Sequence, residues 1–303
     1  MNSFRSQDVK VSIVVPISNM EGRLNQIKHW LPQASEIGFQ TIFICNNCDD
    51  NTFSELTEFS NSLNLSRVLI LESPSLGPGL GRNEGLKQAT GEFVAFWDAD
   101  DSGNVQVLNT LVNSADTKVD VFVCNYLVVD SEGKESARTF GDDPKERMFD
   151  LCMNPGVWRM VFKRELLSEC SFGISSMGED QVFLARVFTK RPLISFSDEY
   201  IYRYYTGIST QLTSKKENLF GIVTSLNEIA QVNREINSEF GEMYDLIQTR
   251  LLTTLFFRGS ITLKKEAIKQ GFKLVLTPGG GGFFLCRVAS RTGLIFRVVK
   301  RVL

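Results

Sequence analysis

Histidine is almost absent: His29 is the only one in 303 residues. It lies in the first helical segment, far in sequence from every acidic cluster, where a lone histidine is more often structural. Histidine-based nucleophilic catalysis is therefore set aside, and carboxylates must carry any acid–base work. Long apolar runs are missing too. No stretch reaches the ~18 uninterrupted apolar residues expected of a membrane span. The first ten residues, "MNSFRSQDVK", lack the apolar core of a signal peptide. The six cysteines (Cys45, Cys48, Cys124, Cys152, Cys170, Cys286) show no framework spacing and sit mostly inside apolar runs. They read as reduced, mostly buried thiols of a cytosolic protein. Cys45-Asn-Asn-Cys48 has the CxxC spacing, but no second pair completes a zinc site, and a strand end carrying two thiols is the simpler account. The usual phosphate signatures also fail. After Gly77 and Gly79 the third glycine of GxGxxG would fall on Arg82, and after Gly79 and Gly81 on Glu84. No GxxxxGK[ST] occurs either.

What remains is ordinary globular composition, 43% hydrophobic and 22% charged, enough for one large domain or two smaller ones. The net charge of −2 hides an asymmetry. From Gly271 to Leu303 there are six basic residues and no acidic ones, which leaves the other 270 residues with 27 basic against 35 acidic groups, or −8. A mildly acidic body with a basic tail does not suit nucleic-acid binding, where a whole face must neutralise phosphates. On a helical wheel, Arg287, Arg291, Arg297 and Arg301 fall within about 120° of one another, opposite an apolar arc. Segment 283–303 thus reads as a basic amphipathic helix. It either lies in a membrane interface or docks on the body with its arginines in solvent.

The first third alternates between two periods. "VSIVVPI" (11–17), "TIFICNN" (41–47), "RVLILES" (67–73) and "GEFVAFWD" (91–98) predict strands buried on both faces. Segments 21–35, 52–63 and 79–89 between them predict amphipathic helices. Alternation of this kind makes right-handed βαβ units and a parallel sheet, in which ligands bind outside the carboxyl ends of the strands. Asn46, Asn47, Asp98, Asp100 and Asp101 fall at those ends. Further on, 119–130 predicts one long or two short strands, 131–147 an exposed charged loop, 178–188 a helix, and 192–197 and 199–205 strands. From about Lys215 to Gly271 the pattern is helical, and "TPGGGGFF" (277–284) reads as a hinge. The expected units are an α/β domain over 1–210, a helical extension over 211–276, and a glycine hinge with the basic helix over 277–303.

Three carboxylates end the fourth strand, and like charges there need an explanation. A helix N-cap accounts for Asp101 or Ser102 but not for the pair before them. In an extended chain Asp98 and Asp100 point the same way, so they can converge on a Mg²⁺ or Mn²⁺ that also holds substrate phosphates. Ca²⁺ would need an EF-type loop, and none follows. Glu179-Asp180, after a glycine at a helix start, is either a cap or a general base beside a bound metal-diphosphate. The glycines from Gly77 onward read as a turn that lets backbone approach a ligand, followed by a helix presenting Arg82 and Asn83 to it.

"VSIVVPISN", "LGPGLGRNEGLKQATGEFVAFWDADD", "NPGVWRMVFKRELL", "MGEDQVFLARV" and "YIYRYYTGIS" occur in that order. Together they resemble the family 2 glycosyltransferases, inverting enzymes of the GT-A fold: an α/β architecture with a mostly parallel sheet flanked by helices. The resemblance runs from about Val11 to Ser209. It implies that Pro16 and Ser18 border the nucleotide, that Asp98 faces the ribose or diphosphate, and that Arg82 and Asn83 are presented to the nucleotide-sugar. Asp100 would then ligate the metal, Asp180, supported by Glu179, would be the base, and Trp158 with Tyr202, Arg203 and the residues to Ser209 would shape the acceptor side or close over the diphosphate. One departure matters. The family's Asp-Asp-Gly-Ser or Asp-Asn-Gly-Ser after the second strand is here "CNNCDDN", with Asn46 or Asn47 in the base-reading place. An amide donates as well as accepts, so the usual uridine preference does not transfer automatically. The expected reaction is transfer of a sugar from a nucleoside-diphosphate sugar to a hydroxyl of a glycan or lipid-linked glycan, on the cytoplasmic face of a membrane. Two rivals are a sugar nucleotidyltransferase, for which "PISNMEG" (16–22) offers no basic residue, and a catalytically silent membrane-associated scaffold.

Overall fold

The computed structural model describes residues 9–114, 116–207, 218–235 and 241–275. Strand β1 (Val11–Ile17) is followed by α1 (Asn25–Ile37), β2 (Gln40–Asn46), α2 (Thr52–Ser62), β3 (Val68–Ser73), α3 (Pro78–Gln88) and β4 (Phe93–Phe96). Each expected strand and helix of this half forms within a few residues of its predicted limits. The second half carries β5 (Ser102–Gly103), α4 (Val105–Asn113), β6 (Val121–Val129), β7 (Glu135–Arg138), α5 (Pro144–Met153), β8 (Met160–Lys163), α6 (Glu179–Phe188) and β9 (Ile194–Tyr205). Helices α7 (Leu219–Glu235), α8 (Gly241–Arg258) and α9 (Ile261–Val275) complete the described chain.

One sheet holds these strands in the order β3-β2-β1-β4-β8-β6-β9-β5, with β7 paired to β6. Its N-terminal half is parallel, as the βαβ pattern requires. Beyond β4 it is mixed: β8 is antiparallel to β4 and β6, while β6 and β9 run parallel. Three expectations change here. Strand β3 is only half-buried, because it is the sheet's edge. The charged stretch 131–147 is not all loop; it contains β7 and the start of α5, whose N-cap Asp143 accepts hydrogen bonds from the Lys145 and Glu146 amides. The two strands expected over 192–205 are one, interrupted by a bulge where the register jumps from Ser197 to Tyr200.

The chain leaves β1 towards β2 on one side and reaches β4 on the other, which makes the β1–β4 junction the switch point of the sheet. In open α/β sheets a crevice for ligands opens there. The sequence helps to open it. Trp97 N–H donates to Val14 O, so Val14 and, two residues on, Pro16 direct their backbone polar groups towards β4. The register ends at Val14 and Phe96, so the missing N–H of Pro16 falls where no ladder partner is left.

Two apolar cores sandwich the sheet. On one face α1 and α4 bury Trp30, Leu31, Leu108 and Val112 against β1, β2 and β4. On the other, α6 to α9 contribute Phe183, Leu226, Ile247, Leu252 and Ala267 to the core that holds Val14, Phe96 and Phe162. The helical region from Leu219 onward therefore shares its core with the sheet. The hinge and basic helix expected over 277–303 lie outside the described residues.

Candidate active site

Helix α3 brings the first component. Gly77, at φ +90°, begins it in a conformation that side chains disfavour. Close packing explains the glycines that follow. A Cβ at Gly81 would lie 2.4 Å from the Asn46 side-chain oxygen, and one at Gly85 would lie 2.3 Å from a Val14 methyl. Gly81 and Gly85 thus seat the helix on β1 and β2, whereas a Cβ at Gly77 would meet nothing within 4 Å. Asn46 is part of the same packing: it is buried, and its Nδ2 donates to Gly77 O at 2.8 Å. That leaves Asn47, exposed and left-handed at φ +45°, as the amide presented at the end of β2.

Seated this way, α3 aims Arg82 at three carboxylates. Nη2 donates to Asp98 at 2.6 Å, and Nη1 donates to Asp180 at 2.9 Å and Glu179 at 3.2 Å. Arg82 is 3% exposed. Burial disfavours its charge, but Asp180, Asp98 and Glu179 outweigh that and raise its pKa. Arg82 was expected to touch the donor; instead its guanidinium is taken up by the protein's own acids. Asn83 differs as well. Its side chain accepts from Phe172 N–H at 2.7 Å and donates to Phe172 O at 3.2 Å, so it binds the neighbouring backbone rather than facing a donor.

Glu179 and Asp180 open α6, after Gly178 in the left-handed region, where the helix dipole favours their charge. Asp180 also accepts from the Val157 amide. Its pKa is nevertheless raised, chiefly by burial, with Glu179 and Asp98 adding to it and Arg82 opposing. One guanidinium cannot fully compensate three carboxylates, so a raised pKa is the direction expected.

The acidic turn is the second component. Strand β4 ends at Phe96, and Asp101 N–H donates to Asp98 O at 3.3 Å across a turn. The expected alternation of an extended chain therefore does not apply to Asp98 and Asp100; a turn, not a pleat, sets their relation. Burial and then the Asp98 charge push the Asp100 carboxyl up to about 6. Asp101 is buried and held well above the carboxylate range, and its Oδ1 accepts from Tyr205 N–H at 2.7 Å. It does not cap the next helix. Asn104 does, accepting from Val107 N–H at 3.1 Å.

Strand β9 supports this turn from below. Tyr202, expected on the acceptor side, is 1% exposed, and its hydroxyl accepts from Asp98 N–H at 2.9 Å. A ring so deeply buried holds the turn and cannot touch an acceptor. Trp158 stacks on Tyr202 at 4.8 Å and on Tyr204 at 5.4 Å, half-buried and one residue from the Val157 amide that meets Asp180. Arg203 points the other way along the strand and pairs with Glu135 on β7 at 2.8 Å. Pro16 is buried within β1, whereas Ser18 is exposed just past its end.

Sequence reasoning missed a clasp between the loops after β1 and β2. Met20 N–H donates to Thr52 Oγ1, Glu21 N–H to Asp50 and Gly22 N–H to Glu55, at 2.7–3.0 Å. The signal was present in "CDDNTFSE", where Asp50 and Glu55 flank a helix start with more acceptors than a cap requires.

Against this geometry the comparisons are specific. The family described as Glycosyl transferase family 2 matches residues 12–174, more than half of the chain. The putative glycosyltransferase EpsH of Bacillus subtilis (strain 168) is 24% identical over 270 residues, covering 84% of this chain and 77% of its own length. Among solved structures, S. aureus TarS 1–349 in complex with UDP-GlcNAc superposes with a TM-score of 0.67 at 20% identity, over 88% of this chain and 81% of that one. The mannosyltransferase PcManGT from Pyrobaculum calidifontis, in complex with GDP-Man and Mn²⁺, gives a TM-score of 0.56 at 16% identity, over 97% and 87% of the two chains. The architecture is the GT-A type that the sequence resemblance implied. The chain belongs to glycosyl transferase family 2, and it is a glycosyltransferase.

Proposed function

We propose that the protein transfers a sugar from a nucleoside-diphosphate sugar to a hydroxyl of a glycan or lipid-linked glycan, with inversion at the anomeric carbon. The observation that carries this reading is the convergence on Arg82 of Asp98, from the end of β4, with Glu179 and Asp180, from the start of α6. A base and an anionic turn are thereby held side by side at the crevice of the sheet. Asp180, whose raised pKa suits a proton acceptor near neutrality, takes the proton of the attacking hydroxyl. Trp158, next to Val157, borders the acceptor. Ser18 and Asn47 border the nucleotide, with Asn47 in the base-reading place that Asn46, turned towards Gly77, leaves to it.

The residues also fit a divalent cation. Arg82 compensates Asp98, but no lysine or arginine lies within ion-pair distance of Asp100 among the described residues, and a backbone hydrogen bond and the charge of Arg23 oppose its raised pKa without cancelling it. Asp100 and Asp98 would supply the one or two carboxylates that Mg²⁺ or Mn²⁺ takes, with substrate oxygens completing the shell. Bound there, the cation would stabilise the charge of the departing nucleoside diphosphate. The Mn²⁺ of the PcManGT complex supports this assignment.

Among the described residues no helix is long and apolar enough to cross a membrane. Contact with an anionic membrane surface is proposed through 283–303, supported by its basic amphipathic pattern. Removing 277–303 should abolish sedimentation with anionic vesicles, and unchanged sedimentation would refute that contact. The test of the main reading is a thermal-shift panel of UDP-, GDP-, CDP- and dTDP-sugars with and without Mn²⁺. Metal-dependent stabilisation by one nucleotide is expected; no response to any of them would overturn the donor assignment.

A further inference from the structure

The guanidinium of Arg82 has four Nη hydrogens, and three are committed to carboxylates of this chain. Its Cζ lies over the Phe172 ring, 5.3 Å from the centroid. Phe172 is in turn held by Asn83, the next residue of α3, through hydrogen bonds of 2.7 and 3.2 Å to its backbone. Two consecutive residues of one helix thus reach across to 172–180, one gripping the backbone and the other the acids. Nothing else among the described residues ion-pairs with either Asp98 or Asp180.

We propose that Arg82 is a positioning residue of the transfer step: it fixes the base Asp180 against the acidic turn at Asp98, and it is not a ligand of the donor. The proposal rests on the reading of Asp180 as the base. Two segments more than 80 residues apart in sequence must keep one geometry while donor and acceptor come and go. Both carry negative charge, so without a cation between them they repel. A planar fork can meet three carboxylates at once, whereas the single ammonium of lysine cannot reproduce that bridge. A donor diphosphate, itself anionic, would have to approach past three of the protein's own carboxylates to reach a side chain 3% exposed.

The experiment uses the full chain, Mn²⁺ and whichever nucleotide-sugar stabilises it. Arg82→Lys, which keeps the charge and guards against misfolding, and Arg82→Ala are compared with the natural protein for donor affinity, turnover and melting temperature. Turnover should fall about 100-fold or more, the scale expected when a catalytic group is displaced by an ångström, while donor affinity changes less than about threefold. Millimolar guanidinium, but not sodium, should restore part of the turnover of Arg82→Ala. Loss of donor affinity with turnover preserved at saturating donor would overturn the proposal and make Arg82 a donor ligand. Unchanged turnover in both variants would overturn it too. A natural protein that binds no nucleotide-sugar would instead bring down the functional reading beneath it, a result separable from either outcome in the variants.

Discussion

The hydroxyl of Tyr202 accepts a hydrogen bond from the backbone amide of Asp98 at 2.9 Å, across 104 residues of sequence. The carboxylates of the turn are therefore aimed by a strand whose own acids, Asp198 and Glu199, take no part in the cluster around Arg82. Burial, and after it Asp101 and Asp98, raise the phenol pKa well above its usual value, so the group stays protonated. Tyr202→Phe removes the acceptor and leaves the Asp98 amide unpaired at a partly buried position. The loss should be about 1–2 kcal/mol, visible as a lower urea midpoint with an unchanged slope. Turnover should fall by more than the stability change implies, because the turn loses its aim. An unaltered midpoint would mean that water replaces the hydroxyl freely.

Helix α3 offers a sharper test of packing. Gly81→Ala places a methyl 2.4 Å from the Asn46 side-chain oxygen, which cannot swing aside without giving up Gly77 O. Overpacking of this kind costs roughly 1–3 kcal/mol. Asn46→Ala alone loses one hydrogen bond, about 1 kcal/mol. Combined, the two should cost less than their sum, because the second removes the clash that the first creates. Simple additivity in denaturation would show that the helix shifts as a body to make room.

How much of this was legible beforehand follows from what each residue touches. The βαβ half was readable because β-branched runs and amphipathic segments alternate there, and local pattern fixes local structure. Asp98, Asp100, Glu179 and Asp180, proposed here as the site, stood out because clustered carboxylates at a strand end and a helix start demand an explanation. Arg82 and Tyr202 were named but given the wrong neighbours. The partners of Arg82 lie 16 to 98 residues away, and nothing in "LGRNEG" says that the guanidinium turns inward. Asn46 and Asn47 were indistinguishable in sequence; only the left-handed backbone at Asn47 separates the buried amide from the exposed one.

Asp180→Asn keeps the size of the base and most of its hydrogen bonds but removes its ability to take a proton. Transfer should drop by about 10²–10⁴-fold, the usual weight of general-base catalysis. Metal-dependent nucleotide binding should stay near that of the natural protein, since Asp98 and Asp100 are untouched. Near-normal turnover in Asp180→Asn would move the role of base elsewhere.

Asp100 yields the prediction with the clearest sign. Its folded pKa is raised from 3.8 to about 6, so the folded protein binds this proton more tightly than the unfolded chain does. Stability from this group is present below pH ~4 and is lost as pH rises through ~6, where a partly buried, uncompensated charge appears. Without metal, the natural protein should therefore lose stability across that window relative to Asp100→Asn, whose amide cannot ionise. With Mn²⁺ and the nucleotide the order should reverse near neutral pH. The cation then compensates the carboxylate in the natural protein, while the amide variant has one anionic ligand fewer and gains little. Parallel melting curves for the two proteins from pH 4 to 7, with and without Mn²⁺, measure both halves. If they coincide in metal-free buffer, Asp100 is already compensated and the cation seat lies elsewhere.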